Sequence, residues 1–427
     1  MPLPAALRAL RARNYRLFVS GQLVSLIGTW MQTVAQSWLV YRLTGSAAML
    51  GLIGFAGQIP VFVLAPLGGV IADRLNRHRI LVFTQATMMA LALTLAILTL
   101  MGTVKVWQIF VLASLLGIAN AFDIPARQAF IVHMVGREDL VNAIALNSSM
   151  VNGARMVGPA VAGIVVAELG EGWCFLLNAL SYVAVIAALL RMQIARTVNS
   201  TATVSAWVSV VEGFSFAWQT TPVRALLLLL GLVSLMGMPY SVLMPIFADR
   251  ILGGGPHAYG LLMSCSGVGA LLGAASLTSR KSVRGLGRWV AASASGFGVA
   301  LITFSFSRVL WLSAVVLVPA GFCMMVEMAA SNTLIQSMVP DRLRGRVMAV
   351  YSMMFMGMAP LGALMAGALA QPLGAPATVA IGGIACIAGG LTFGLRLPVL
   401  RGPARELIVA QQMAAGGPPD EVTRPTS

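Results

Sequence analysis

Read only for apolar and polar positions, the chain is a series of twelve apolar runs separated by short polar stretches. The runs cover roughly 17–41, 47–72, 79–101, 106–127, 140–167, 172–191, 222–250, 256–279, 288–306, 309–336, 345–370 and 374–396, each near or above the ~20 residues a helix needs to cross a hydrocarbon core. Backbone amides in lipid must be satisfied within the segment, so runs of this length predict transmembrane helices. The expected fold class is an all-α membrane protein of twelve transmembrane helices. The first run differs from the rest. Gln22, Ser25, Thr29, Gln32 or Thr33, and Gln36 recur every three or four residues, which places them on one helical face. Such a stripe either bonds to neighbouring helices or lines a wet cavity.

The pattern breaks once, between 193 and 221. There the composition shifts to Thr, Ser and Asn, followed by Trp207, Val211, Phe214 and Trp218 at helical spacing. This predicts a linker ending in an amphipathic helix on the membrane surface. The expected organisation is therefore a six-helix half over 1–192, the linker over 193–221, a second six-helix half over 222–400, and a disordered tail of Gly, Pro and polar residues over 401–427. An internal repeat supports the two halves. A shift near 204 lays Gly117 on Gly321, Asp123 on Glu327 and Met134-Val135 on Met338-Val339; Pro159 meets Pro360 at 201 and Arg16 meets Arg224 at 208. Repeats of this kind place a substrate site at their interface and alternate its access by rocking.

Composition excludes a soluble domain: 58% of residues are hydrophobic and 10% charged, with mean hydropathy +0.88 against roughly one-quarter charged in soluble proteins. The net charge of +15 does not indicate nucleic acid, because no soluble module carries a basic face. It reports topology instead. Lys and Arg gather on alternate connections, with only Arg42, Lys105, Arg250 and Arg308 on the others. By the positive-inside rule both termini are expected in the cytoplasm. The first run is too long and too polar for a cleaved signal peptide. Cys174, Cys265, Cys323 and Cys386 show no metal-ligand spacing, and no phosphate-binding loop for ATP is present. No metal, cofactor or enzymatic activity is expected. A receptor would want a folded soluble domain, and a membrane enzyme clustered His, Cys or acids.

Two charged places stand out. One is Gly68 to Leu81, GGVIADRLNRHRIL, a dense charge cluster between the second and third runs. The other is Arg155, about sixteen residues into the fifth helix and so near mid-membrane. An arginine there costs about 2.5–3.5 kcal/mol on insertion scales and should face protein or water. Asp123 and Arg127 at the end of the fourth run form a local i,i+4 pair on a helix.

These residues resemble the major facilitator superfamily, whose loop after the second helix reads G-x-x-x-D-R-x-G-R-R/K. Here the pattern is carried by Gly69, Asp73, Arg74, Arg77 and, loosely, Arg79, with Asn76 where a glycine is expected; Asn tolerates the left-handed backbone. RNYRLF at 13–18, the stretch from Trp30 to Trp38, DIPARQAF, and REDLVNAIALNSSMVNGARMVGPAVAG are similar to the enterobactin-exporter-like and macrolide-efflux-like branch, drug:proton antiporters of the third subfamily. The resemblance implies that Gly69 lets the loop pack tightly, that Asp73 faces the start of the eleventh helix, and that Arg77 pairs with Asp123 to latch the outward-open state. Glu327 takes the place of Asp123 in the second half, without an acid matching Asp73. Gly158, Pro159 and Gly163 match the antiporter pattern of the fifth helix as packing positions, while Ala154 and Ala162 replace its glycines.

The resemblance further implies a secondary exporter in the bacterial inner membrane, moving small amphipathic or anionic organic molecules of drug or siderophore type in exchange for protons. Uptake or facilitated transport of a nutrient, peptide or lipid by the same fold is the alternative. The histidines lie in loops, so the expected proton carrier is Asp123 or Glu327. Arg155, with Asn152, Gln32 and Gln36, is the expected receptor for a substrate anion; the competing reading bonds Arg155 to helix carbonyls or to Asp123. The expected partners are the substrate, protons and the lipid bilayer, and the chain is expected to act as a monomer.

Overall fold

The computed structural model describes residues 5–192, 206–278, 280 and 282–414, and among them there is no strand. A 3-10 turn, Ala5–Arg11, leads into fourteen α-helices: α1 Arg13–Thr44, α2 Ala47–Arg74, α3 Arg77–Leu100, α4 Val106–Met134, α5 Leu140–Glu168, α6 Glu171–Leu190, α7 Ala206–Gln219, α8 Thr221–Leu232, α9 Tyr240–Ile246, α10 Gly255–Thr278, α11 Leu286–Phe306, α12 Leu310–Met338, α13 Asp341–Leu373 and α14 Ala375–Ala414. Helices α8 and α9 share one crossing, Thr221–Ile251, interrupted by π turns at Val233–Gly237 and Phe247–Ile251.

Eleven segments are long and apolar enough to cross a membrane. Helix α1 falls short on apolarity because of its polar stripe, yet at ~1.5 Å per residue its 32 residues span about 48 Å. It packs along α5 and α6 as the other crossings pack on one another. The twelve expected crossings are thus α1 and these eleven. Large apolar side chains that would be a liability in water, such as Phe83, Phe306 and Leu395, are more than 70% exposed, as lipid-facing residues are.

Helix ends follow local chemistry. Helix α1 stops where Gly45 turns left-handed at φ 58° and returns its N–H to the Tyr41 carbonyl. Ser46 then caps α2 by accepting from the Met49 amide. Asn76 corrects an expectation. It is not in a left-handed turn but at φ −66°, where its Oδ1 accepts from the amides of His78 and Arg79 and caps α3. Asparagine is here for its side-chain acceptor, not its backbone tolerance.

The chain divides into two compact units, one of Met1–Thr203 with Val242–Gly267, the other of Val204–Ser241 with Val268–Ser427. The first boundary falls inside the expected linker. The next falls between Ser241 and Val242, inside α9. The reason is packing. Within the first unit, Tyr259 stacks on Trp38 of α1 with centroids 6.2 Å apart, and Gly260 of α10 lies so close to α5 that a methyl added to it would sit 2.6 Å from the Pro159 carbonyl. In the second unit α11 packs on α12 and α14, and α7 lies along α13. There Glu212 pairs with Arg346, and Phe214 stacks on Trp218 on an otherwise exposed face. The tail departs from expectation as well. Residues 401–414 continue α14 through Gly402 and Pro403, because the following segment RELIVAQQMA is rich in helix formers. The residues after 414 and those of the linker at 193–205 lie outside the described set.

One device recurs inside the units. A proline within a helix has no amide hydrogen for the carbonyl four residues earlier. Pro125 and Pro159, inside α4 and α5, thereby release the carbonyls of Ala121 and Arg155, and Leu235, in the π turn ahead of Pro239, presents its carbonyl outward in the same way. Each of these faces a glycine of a neighbouring helix: Gly68 of α2, Gly267 of α10 and Gly362 of α13, where a methyl group would be driven into that oxygen. The glycine admits the carbonyl and offers Cα–H contacts to it.

Candidate functional site

Asp123 is fully buried in α4 and well supplied with partners. Arg127, one turn on, places Nη2 2.7 Å from its Oδ2. From α3, Thr84 donates its hydroxyl to Oδ1 at 2.8 Å and Gln85 donates Nε2 at 2.9 Å. These contacts tie α3 to α4 through one buried carboxyl group. The local pair with Arg127 is present as the spacing allowed; the α3 contacts were not foreseen.

The charged loop is less uniform than its motif. Gly68, not Gly69, makes the close approach, against Ala121 and Phe122 of α4; around Gly69 a methyl group would meet nothing within 4 Å. The reason is rotational: the two neighbours point about 100° apart on the helix, and only Gly68 faces α4. Arg77 donates Nε to the Ala72 carbonyl at 3.0 Å, and Arg74 is exposed in the last turn of α2. Asp73 lies in that same turn, with its side chain outside the described set. His78 reaches the Leu189 carbonyl of α6 at 2.8 Å.

Glu327 matches Asp123 in the repeat and is 1% exposed in α12, but its surroundings are different. Ser331, one turn on, donates its hydroxyl to Oε1 at 3.4 Å. Among the described residues this is its one hydrogen bond, and no cation pairs with it. Tyr351 of α13 and Cys386 of α14 are the titratable groups within electrostatic reach, and the Tyr351 hydroxyl is given to the Met328 carbonyl.

Arg155 sits at the centre of α5, half-buried, with its guanidinium over the Trp30 ring of α1 at 5.6 Å. The residues expected beside it are divided. Asn152 gives its amide to the Ser148 carbonyl of its own helix. Gln32 is buried and accepts from Asn178 of α6 at 2.6 Å, and Ser181 donates to Asn178 in turn. Gln36 is half-buried. Part of the polar stripe of α1 therefore bonds to a neighbouring helix, and Thr29 and Thr33 give their hydroxyls to carbonyls of α1 itself. Gln22, Ser25 and Gln32 are packed inside the unit, while Thr29 and Thr33 are exposed. Asn178 and Ser181 were missed because a single polar pair in an apolar run gives no periodic signal; their i,i+3 spacing was the available hint. Gly158 and Gly163 lie close to neighbouring helices. A methyl at Gly158 would lie 3.0 Å from the Ile27 carbonyl, and one at Gly163 2.9 Å from the Gly260 Cα.

At the opposite end of the first unit from the N-terminus lies a cluster the sequence reading treated only as topology. Tyr41 donates its hydroxyl to Asp249 at 2.7 Å. Arg250 lies over the Tyr41 ring at 5.6 Å and donates to the Gly45 carbonyl at 3.2 Å. Arg42 forms a two-pronged pair with Glu171 of α6 at 2.7 and 3.2 Å.

The profile of the family described as transmembrane secretion effector matches residues 5–418. The staphyloferrin A transporter of Staphylococcus aureus is 24% identical over 375 residues, covering 87% of this chain and 93% of that protein. The multidrug efflux pump Tap of Mycolicibacterium fortuitum is 28% identical over 372 residues, covering 85% and 90%. Among solved structures, the nucleoside transporter NupG matches with TM-score 0.72 over 90% of this chain and 98% of its own, at 12% identity, a likeness of fold alone. With a match over nearly its whole length and helices arranged as in these transporters, the chain belongs to the transmembrane secretion effector family of the major facilitator superfamily.

Proposed function

We propose that this protein exports small amphipathic or anionic organic molecules from the cytoplasm in exchange for protons, by alternating access between its two units. The observation that carries the reading is Arg155 over Trp30 at the middle of α5. A guanidinium on an indole offers a charge for an anionic head and an aromatic face for an apolar body, the two halves of an amphipathic ligand. The relatives named for siderophore transport and drug efflux support the same class. Both termini lie in the cytoplasm on this reading, and the charged loop at Gly68 to Leu81 works there as a latch, with Asp73 and Arg77 bridging to their partners. The cluster of Tyr41, Asp249 and Arg250 then closes the outer end. A monomer suffices, since each unit contributes its own acid.

The test is a susceptibility and accumulation panel of drugs and siderophore-type acids in a bacterium deleted for its own exporters, with and without a protonophore. Expression should lower accumulation of some members, and the protonophore should restore it. Inward flux along an imposed pH gradient would overturn export. Arg155→Ala should lose transport of the anionic members by about tenfold or more while surface expression holds, and spare cationic ones. Unchanged transport of every substrate would remove Arg155 from recognition.

A further inference from the structure

We propose that Glu327 is the group that binds the coupling proton and that Asp123 serves as an ion-paired anchor between helices; this rests on the proton-antiport reading above. Of the three buried acids among the described residues, Asp123, Glu171 and Glu327, only Glu327 lacks a cation. Its nearest polar neighbour is one serine hydroxyl at 3.4 Å. A carboxylate held away from water without a partner is costly, whereas the neutral acid with a hydroxyl beside it is not. Glu327 lies about 16 Å from the end of α12 at ~1.5 Å per residue and is 1% exposed.

The helices packed on α12 bring Glu327 no counter-charge: α10, whose Gly269 and Gly273 meet Val318, Phe322 and Met325 of α12, carries His257, in its first turn, Tyr259 and Cys265 as its titratable groups. Helix α11 carries one charge, Arg288 in its first turn, and α8 carries one, Arg224, bonded to the Trp218 carbonyl and lying over the Trp218 ring. Helices α13 and α14 face Glu327 with Tyr351 and Cys386; the arginines of α13 lie in its first two turns and those of α14 in its second half. None of these charges pairs with it. Asp123 is the opposite case, with a guanidinium 2.7 Å from one carboxyl oxygen and a hydroxyl and an amide donating to the other. A proton that arrives at Asp123 must displace that cation. At Glu327 it forms an O–H bond on one carboxyl oxygen and displaces nothing, and the same bond breaks when the second unit changes its surroundings and the proton leaves to the cytoplasm.

The test begins without any substrate. In infrared spectra of the purified full chain in lipid, the carbonyl stretch of a protonated carboxylic acid should titrate with pH, vanish in Glu327→Gln and persist in Asp123→Asn. A band unchanged in Glu327→Gln overturns the proposal. The second arm uses proteoliposomes with ethidium and erythromycin as probes. Glu327→Gln should lose accumulation driven by a pH gradient at least tenfold while keeping exchange of labelled for unlabelled probe, and Glu327→Asp should keep the drive with a displaced pH profile. Retained drive in Glu327→Gln sinks the assignment alone. A wild type indifferent to the gradient sinks the antiport reading and the coupling role with it, and the two failures are told apart by the wild-type control.

Discussion

Asp123 in α4 and Glu327 in α12 stand at matching positions of the repeat, both all but closed to solvent, and they have been given opposite company. One turn after Asp123 comes Arg127; one turn after Glu327 comes Ser331. The neighbouring α3 adds two further donors to Asp123, and the helices around Glu327 add no charge to it. A repeat thus preserves the place of an acid while the partners decide what the acid does: a carboxylate tied on three sides holds helices together, and one with a single hydroxyl is free to change protonation.

The largest expected effect comes from untying the first acid. Arg127→Ala leaves a buried carboxylate uncompensated and should cost about 3 kcal/mol or more of unfolding stability, whereas Glu327→Gln, which removes no ion pair, should stay within about 1 kcal/mol of wild type. Thermal unfolding of the purified variants in detergent decides this, and equal losses would erase the contrast between the sites. Next in size is Gln85→Leu, which takes one donor from Asp123 and should cost about 1–2 kcal/mol. In a double-mutant cycle with Asp123→Asn the two losses should fall short of adding, a sign of direct coupling. The smallest is Ser331→Ala, expected to cost about 0.5 kcal/mol by the same unfolding assay. A cost there matching Arg127→Ala would mean that Ser331 holds an ion, and the two acids would no longer differ in kind.

How much of this was legible in the sequence depends on how far apart the partners lie. Asp123 and Arg127 are four residues apart on one helix, so their pairing followed from spacing. Gln85 and Asp123 are separated by 38 residues and lie on the consecutive helices α3 and α4, and nothing in either segment announces the other. The same holds for Gln32 with Asn178. The crossings were legible because apolar length is a strong signal; the π turns of the seventh crossing were not, since inserting one residue into a helix leaves apolarity unchanged. Gly402 and Pro403 misled by composition. Proline restricts its predecessor and removes one hydrogen bond, yet a strong helical segment after it carried α14 through. At Gly68 and Gly69 the motif named the right neighbourhood and the wrong member, because which of two adjacent glycines faces α4 is a matter of rotation about α2.

The carbonyls of Ala121 and Arg155, released by prolines and each lodged against a glycine, bear on time as well as on packing. Where helices are joined by conventional hydrogen bonds in lipid, parting them strands donor and acceptor with no water to take over. A carbonyl resting on a Cα–H forfeits only about 0.5–1 kcal/mol when its neighbour leaves, a slowing of roughly two- to fivefold. Its stronger donor was already gone, removed by the proline before the helices ever met. At such a joint between α5 and α10, opening is fast because closing made nothing that is slow to break.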